Sequence, residues 1–341
     1  MKIYHLSHTD LDGYGAQYIT NFYFKDVKFL NSNYGREIDD KFAQILSEID
    51  ASNDDKNVIL ITDLNLTPAQ CESFEEMIEG KNIKLFLLDH HQSGAECAST
   101  YSWYFLDSSR CATKITYDFF AGIFGKNKEL EIFSDVVNAV DIWLKDDKNF
   151  EMGKVCLGLV ANAKEINKVM FEAENNLYMD HLLKEASKFF NEKNDYIGLD
   201  MQVHAIKKSF FKEDKDDTLS NLISNYVVKK LSENKEKFSI SYKDHKGILT
   251  YNVGNVSVIG NDFLVANPEF DFFIDVTNKK TLSFRANGKL DVSAMAKHLV
   301  GGGGHVNASG GLFANFKDGF SYEPIKAQIV DLITKKTQEE I

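Results

Sequence analysis

Proline, cysteine and positive charge are all scarce in this chain, and each shortage excludes a class of protein. Only three prolines occur, Pro68, Pro268 and Pro324, so no proline-rich linker is present. The four cysteines, Cys71, Cys97, Cys111 and Cys156, lack Cys-x-x-Cys spacing, which argues against a zinc ribbon and against a disulfide framework. They read as reduced thiols. Acids outnumber lysine plus arginine by 51 to 39, for a formal net charge of -12. Long duplex nucleic acid is therefore disfavoured as a partner, because that binding depends on basic side chains meeting phosphates. No apolar run approaches the length needed to span a bilayer, and Met1 leads straight into Ile3–Leu6 without the segments of a signal peptide. A cytoplasmic protein without a membrane partner is expected.

What is present suits a soluble globular protein. With 341 residues, 43% hydrophobic and 26% charged, the chain can form two domains, each burying a core of its own. The informative stretch comes first. Ser7-His8-Thr9-Asp10-Leu11-Asp12-Gly13 follows the apolar run Ile3–Leu6 and precedes an amphipathic run, Tyr14–Phe24, as a loop between a strand and a helix would. An imidazole and two carboxylates on one turn suit a divalent cation, although Asp10 or Asp12 could equally cap the helix.

The pattern then repeats. Residues 27–30 form a second apolar run, and 36–49 carry apolar residues at helical spacing, at positions 38, 42, 45, 46 and 49. A polar loop is expected over 50–57. Val58-Ile59-Leu60-Ile61 reads as a strand buried on both faces and ends at Asp63. Thr67 followed by Pro68 opens a helix to about Ile78, and Ile83–Leu88 is another strand, ending in Asp89-His90-His91. Strand, acid, helix, strand, acid is the rhythm of a parallel α/β sheet, whose strands all end along one edge. His8, Asp10, Asp12, Asp63, Asp89, His90 and His91 should therefore converge.

Residues 107–143 read as helical, with Asp107-Ser108-Ser109 as the expected cap. Asp141 is the one charge within Val136–Trp143, and a carboxylate among such neighbours needs a partner: a metal, a buried arginine or a capping role. From Gly153 to about Phe190 the pattern stays helical. The charge run within 210–217 is the expected domain boundary, with Glu192–Asp195 as a competitor. Beyond it, 219–231 reads as a helix, and 238–242, 272–276 and 281–284 read as strands. Asp291 caps a helix that runs into Gly301-Gly302-Gly303-Gly304-His305, followed by the small residues 306–311. Consecutive glycines let backbone amides approach a ligand closely. A flexible linker is the other reading, against which the flanking His305 and Ser309 argue.

Taken together, His8-Thr9-Asp10-Leu11-Asp12-Gly13, Asp63, Asp89-His90-His91, Asp141 and the late Gly-Gly-Gly-Gly-His-Val-Asn-Ala-Ser-Gly resemble the DHH/DHHA1 phosphoesterases. Within them the opening motif is most similar to the NrnB-type oligoribonuclease, or nano-RNase, branch. The resemblance implies an α/β fold: a parallel-sheet DHH domain over 1–190, a helical connector over 191–217, and a smaller α+β DHHA1 domain over 218–341. It implies two divalent metal ions, manganese first, with magnesium, cobalt or zinc as alternatives. One would be held by His8, Asp10 and Asp63, the other by Asp12, Asp63, His90 and Asp141. Asp89 would support the site, and His91 would contact the phosphate or protonate the leaving group. Arg285 would grip a substrate phosphate, with Gly302, Gly303, Gly304, His305 and Ser309 as the substrate-binding signature. One departure stands out: Ala286 follows Arg285 where the family often has serine.

The chemistry agrees with that resemblance, because paired cations held by carboxylates and imidazoles suit phosphoester hydrolysis. The expected activity is a two-metal phosphodiesterase converting short oligoribonucleotides to mononucleotides, with 3'-phosphoadenosine 5'-phosphate as a further substrate. The alternatives are hydrolysis of cyclic or linear dinucleotides, or an inactive nucleotide-binding regulator. An inorganic pyrophosphatase fits less well, since its second domain carries a different basic signature. The expected partner is a short single-stranded RNA or small nucleotide, and a homodimer is compatible with the sequence.

Overall fold

Apolar runs of four to seven residues alternate with amphipathic stretches from the start of the chain, and each run becomes a strand. A computed structural model describes residues 1–52, 56–190 and 195–338, which divide into two units: Met1–Ala163 with Asn176–Ile206, and Lys164–Asn175 with Lys207–Ile341. The expected loop at 50–57 and the competing boundary at Glu192–Asp195 each fall partly outside the described residues.

In the first unit the order is β1 (Lys2–Ser7), α1 (Leu11–Tyr23), β2 (Val27–Asn31), α2 (Arg36–Asp50), β3 (Asn57–Thr62), α3 (Pro68–Ile78), β4 (Ile83–Asp89), α4 (Ala95–Thr100), β5 (Tyr104–Leu106), α5 (Ala112–Phe124), α6 (Lys128–Asp141) and α7 (Phe150–Ala161). Next come α8 (Glu172–Ser187) and α9 (Tyr196–Phe211). The five strands form one parallel sheet, β2-β1-β3-β4-β5. On one face α2 buries Ile38, Phe42, Ile45, Leu46 and Ile49, the stripe its spacing predicts. Phe42 stacks on Phe74 of α3 with ring centroids 3.7 Å apart. Helices α1, α5 and α6 pack against one another, with α1 and α5 also meeting the sheet.

Register brings the strand ends level. Ser7 pairs with Thr62 and Thr62 with Leu88, so the residues that follow, His8, Asp63 and Asp89, emerge side by side. Beneath them His5 Nε2 lies 2.8 Å from Thr62 Oγ1, which is 2.6 Å from Ser7 Oγ. These buried contacts tie the ends of β1 and β3 together.

The second unit continues with α10 (Leu219–Glu233), α11 (Lys235–Phe238), β6 (Ser239–Tyr242), β7 (His245–Tyr251), α12 (Val256–Ala266), β8 (Phe272–Val276), β9 (Thr281–Ala286), α13 (Val292–Val300), β10 (Gly303–His305), β11 (Ala308–Leu312) and α14 (Tyr322–Gln338). Its mixed sheet runs β10-β11-β9-β8-β7-β6, with β7 and β8 parallel and the other pairs antiparallel. The protein is α/β, as expected. No helix among the described residues is long and apolar enough to cross a membrane.

Several local expectations need correction. The helix expected over 107–143 is two, because Gly125 ends α5 with φ 93° and Asn127 caps α6 through the amides of Glu129 and Leu130. Asp107 is not the cap: its carboxylate closes a turn on Ser109, and Cys111 is the residue at the head of α5. The helical stretch from Gly153 to Phe190 is likewise divided, into α7 and α8. Phe238 ends α11 instead of opening the strand that follows.

Candidate metal centre

The loop after β1 is shaped by its acids. Asp10 caps α1, its Oδ1 accepting the Gly13 amide at 3.0 Å, while its Oδ2 lies 2.9 Å from His8 Nδ1. Gly13 is required here, since a Cβ would stand 2.3 Å from the carbonyl oxygen of His8. The helix therefore starts at Leu11, earlier than the sequence suggests, and Asp12 sits buried in its first turn. Both oxygens of Asp12 are held by the head of α5: Ala112 and Thr113 each donate an amide at 2.7 Å. Thr113 Oγ1 also donates to the Asp12 carbonyl at 2.7 Å. A carboxylate at a helix N-terminus meets the positive end of the helix dipole.

Asp63 leaves β3 with φ 56°, in the left-handed region, which costs a non-glycine residue about 1–2 kcal/mol. That turn directs its side chain inward, where it is 2% exposed. Its Oδ2 lies 3.6 Å from His8 Nδ1 and has no hydrogen-bond partner among the described residues. Its Oδ1 lies 3.3 Å from His90 Nε2. That same imidazole nitrogen is 3.6 Å from Asp141 Oδ2 and 3.7 Å from Asp12 Oδ2. Ligand atoms around one divalent ion stand roughly 3 Å apart, because each bond is about 2.0–2.2 Å long. The four groups thus face a common point at spacings of 3.3–3.7 Å, close to those of ligands around a shared cation.

Asp89 ends β4 fully buried. It accepts the Tyr104 hydroxyl at 2.9 Å and lies 2.7 Å from His91 Nδ1, while the other ring nitrogen of His91 is 3.0 Å from the Tyr34 hydroxyl. Tyr34 in turn lies against His8, with ring centroids 4.6 Å apart. The structure accordingly brings together His8, Asp10, Asp12, Asp63, Asp89, His90, His91 and Asp141. It adds Tyr34, Tyr104, Thr113 and Cys111, whose sulfur groups with Asp12 and Asp141 as a further candidate ligand. Sequence reading misses these four, because an isolated tyrosine, threonine or cysteine carries no spacing signal.

In the second unit, Arg285 of β9 pairs with Ala308, which pairs with His305, so arginine and histidine share one row across three strands. The Arg285 guanidinium donates to Ser257 Oγ at 2.8 Å. Gly301 ends α13 with φ 65°, and Gly302 runs so close to β11 that a Cβ would lie 2.2 Å from the Gly310 carbonyl oxygen. Gly303, Gly304 and His305 form an exposed edge strand. Ser309 is different: it is buried, and its hydroxyl donates to the Val292 carbonyl at 2.6 Å.

No protein-family model matches the chain. A protein of Helicobacter pylori named 3',5'-cyclic-nucleotide phosphodiesterase is 41% identical over 343 residues, covering 97% of this chain and 99% of its own length. The chain belongs to that phosphodiesterase's family. A crystal structure of an uncharacterized Helicobacter pylori protein, 40% identical and covering 98% of this chain and 99% of its own, superposes on this phosphodiesterase-family member with a TM-score of 0.92. An exopolyphosphatase-related protein from Bacteroides fragilis aligns at 14% identity with a TM-score of 0.29, too slight a likeness to carry weight.

Electrostatics in this family member show a site short of positive charge. Burial first, and then the charge of Asp12, pushes the Asp63 carboxyl well above the carboxylate range. Burial and the charges of Asp12 and Asp63 hold Asp141 up at about 8. Burial opposes the charge on His8, but the hydrogen bond to Asp10 and the nearby Asp63 carboxylate outweigh it and raise that imidazole to about 10. Among the described residues, the ion-pair partners of Asp12, Asp63 and Asp141 are histidines alone. Crowded like charges with an orphaned buried oxygen are what divalent cations neutralise, so these donors fit such ions.

Proposed function

We propose that this chain is a metal-dependent phosphodiesterase of small 3',5'-linked nucleotides, with two divalent ions at the edge of the parallel sheet. The observation that carries the reading is the convergence of Asp12, Asp63, Asp141 and His90, with an Asp63 oxygen buried and unpartnered among the described residues. In this reading His8, Asp10 and Asp63 would hold one ion and Asp12, Asp63, His90 and Asp141 the other, with Asp63 common to both sets. When bound, such ions would supply an activated water and neutralise charge on the phosphoryl oxygens.

The chain's own residues then divide the work. Asp10 fixes His8, the amides of Ala112 and Thr113 fix Asp12, and the Asp63 turn aims the carboxylate common to both sets. Asp89 accepts from His91 and sets which ring nitrogen bears the proton, since a carboxylate beside Nδ1 can only accept. Arg285 presents a planar fork of donors suited to a phosphate, and the Gly302–Gly304 edge leaves backbone exposed for contact with a nucleotide. Manganese suits the mixed carboxylate and imidazole donors, with magnesium, cobalt or zinc as alternatives.

The name of the Helicobacter pylori relative favours a cyclic mononucleotide as substrate. The row of Arg285 and His305 within the second unit supports the second reading, short oligoribonucleotides trimmed to mononucleotides, because it offers a guanidinium and an imidazole to a nucleotide phosphate. A product analysis with manganese over 3',5'-cyclic nucleotides, di- to decaribonucleotides, 3'-phosphoadenosine 5'-phosphate and cyclic dinucleotides decides between them. Release of 5'- or 3'-mononucleotide is expected. No turnover of any phosphodiester in the panel would refute the reading.

A further inference from the structure

We propose that Tyr34 is a substrate-contacting residue whose hydroxyl delivers a hydrogen bond to the phosphoryl group, as the outer end of the chain Asp89–His91–Tyr34. The inference rests on the phosphodiesterase reading above and adds to it a group that neither motif nor spacing marks. The geometry begins at Asp89, which is fully buried and binds His91 Nδ1 at 2.7 Å. With the Nδ1 proton directed at that carboxylate, neutral His91 offers Nε2 only as an acceptor, and Tyr34 fills it with its O–H at 3.0 Å. Were His91 charged, Nε2 would instead donate to the Tyr34 oxygen and leave the tyrosine proton free. A hydroxyl has one proton, so with neutral His91 it reaches the substrate by turning from Nε2 to a phosphoryl oxygen, which as a charged acceptor binds an O–H more strongly; the donor at the end of the chain is then the hydroxyl of Tyr34, not the imidazole.

Its placement beside His8 is built by four local hydrogen bonds. Asn31 donates its side-chain amide to the His8 carbonyl at 2.9 Å, and Thr9 donates to Asn33 Oδ1 at 3.0 Å, fastening the 31–35 turn onto the loop that carries His8 and Asp10. The carboxylate of Glu37 accepts the Asn33 backbone and side-chain amides at 3.0 and 2.7 Å. Gly35, at φ 84°, turns the chain directly after the tyrosine. Tyr34 is therefore pinned on both sides, with its ring over His8, while the residue remains 43% exposed. An aromatic left open to solvent, on a braced turn and with its hydroxyl on His91, is placed for contact with a ligand and adds little to a core.

The chemistry asks for such a donor. A phosphodiester carries negative charge on its non-bridging oxygens, and the described residues next to the acids supply imidazoles but no lysine or arginine ion pair. A neutral hydroxyl adds a directed hydrogen bond without competing for the carboxylates as a cation would.

The test compares wild type, Tyr34→Phe and Tyr34→Ala with manganese on bis(p-nitrophenyl) phosphate, which has no nucleobase, alongside manganese affinity, thermal melting and the binding of a phosphorothioate dinucleotide. Tyr34→Phe keeps the ring and removes only the hydroxyl. It is expected to lose about 10- to 100-fold in kcat/KM, the usual weight of a hydrogen bond to a charged group, and to bind the phosphorothioate more weakly. Its manganese affinity and melting temperature should match wild type. A Tyr34→Phe enzyme with wild-type turnover overturns the proposal, including the case where only Tyr34→Ala is impaired and the ring alone matters. A Tyr34→Phe defect traced to lost manganese binding overturns it too, by making Tyr34 a prop for the metal ligands. Wild type that hydrolyses no phosphodiester at all instead refutes the function on which the proposal stands.

Discussion

Tyr104 donates its hydroxyl to Asp89 at 2.9 Å, so the last residue of β4 is held by the first residue of β5. Burial and the adjacent Asp89 charge push the Tyr104 phenol upward, which keeps it a donor throughout the physiological range. Asp89 thereby has one oxygen fixed from below and the other free to orient His91.

Breaking this support should impair the site without dismantling it. Asp89→Asn is expected to lower kcat about 10- to 100-fold, in line with other residues that orient ligands from behind, and Tyr104→Phe should have a smaller effect of the same kind. Steady-state kinetics with manganese held at saturation check this. An Asp89→Asn enzyme at full speed would remove the orienting role.

Protonation gives a second expectation. Asp141, at about 8, sits far above the ordinary carboxyl value of 3.8, so its contribution to stability is complete below 3.8 and is lost as pH rises through about 8. His8, raised to about 10, acts with the same sign above 6.5, whereas His5, lowered to about 3 by burial, has no remaining effect above 6.5. Between pH 6.5 and 8 the metal-free protein should therefore melt at progressively lower temperature. Manganese should raise the melting temperature, and more so at pH 8 than at pH 6.5, because bound cations favour the ionised acids. Calorimetric scans in chelator and in manganese measure both slopes, and Asp141→Asn should flatten the first.

Gly13 supplies a third. A methyl group there would collide with the His8 backbone, which has no flexible end that can yield. Gly13→Ala should cost about 1–3 kcal/mol of stability, as overpacking generally does, and should weaken manganese binding in the fraction that folds. Denaturant melts and metal titration separate the two effects. Unchanged stability would show that α1 can move away from the loop.

How much of this is written in the sequence depends on the signal each residue carries. Asp63 and Asp89 are legible because each ends a continuous apolar run, and a parallel sheet sends all such ends to one edge. The Thr67 and Pro68 helix start is legible for the same kind of reason, and the structure shows the full capping box with Gln70. Strand β5 is too short, at three residues, to show a period, and β7 opens on His245, Lys246 and Gly247, which conceal it. The break between α5 and α6 was open to reading in Gly125 and Asn127, but the apolar spacing on either side outweighs them. Tyr34 and Cys111 become visible only when distant segments are brought into contact.

The heads of α1 and α5 lead to a last point about how this edge meets anions. Many phosphate sites recruit the bare amides at the start of a helix. Here those amides already face inward acids of the protein itself, Gly13 toward Asp10 and Ala112 with Thr113 toward Asp12. Both helices thus turn their polar heads toward the protein's own carboxylates, and a negatively charged guest at this rim meets amides of Gly13, Ala112 and Thr113 that are already spoken for.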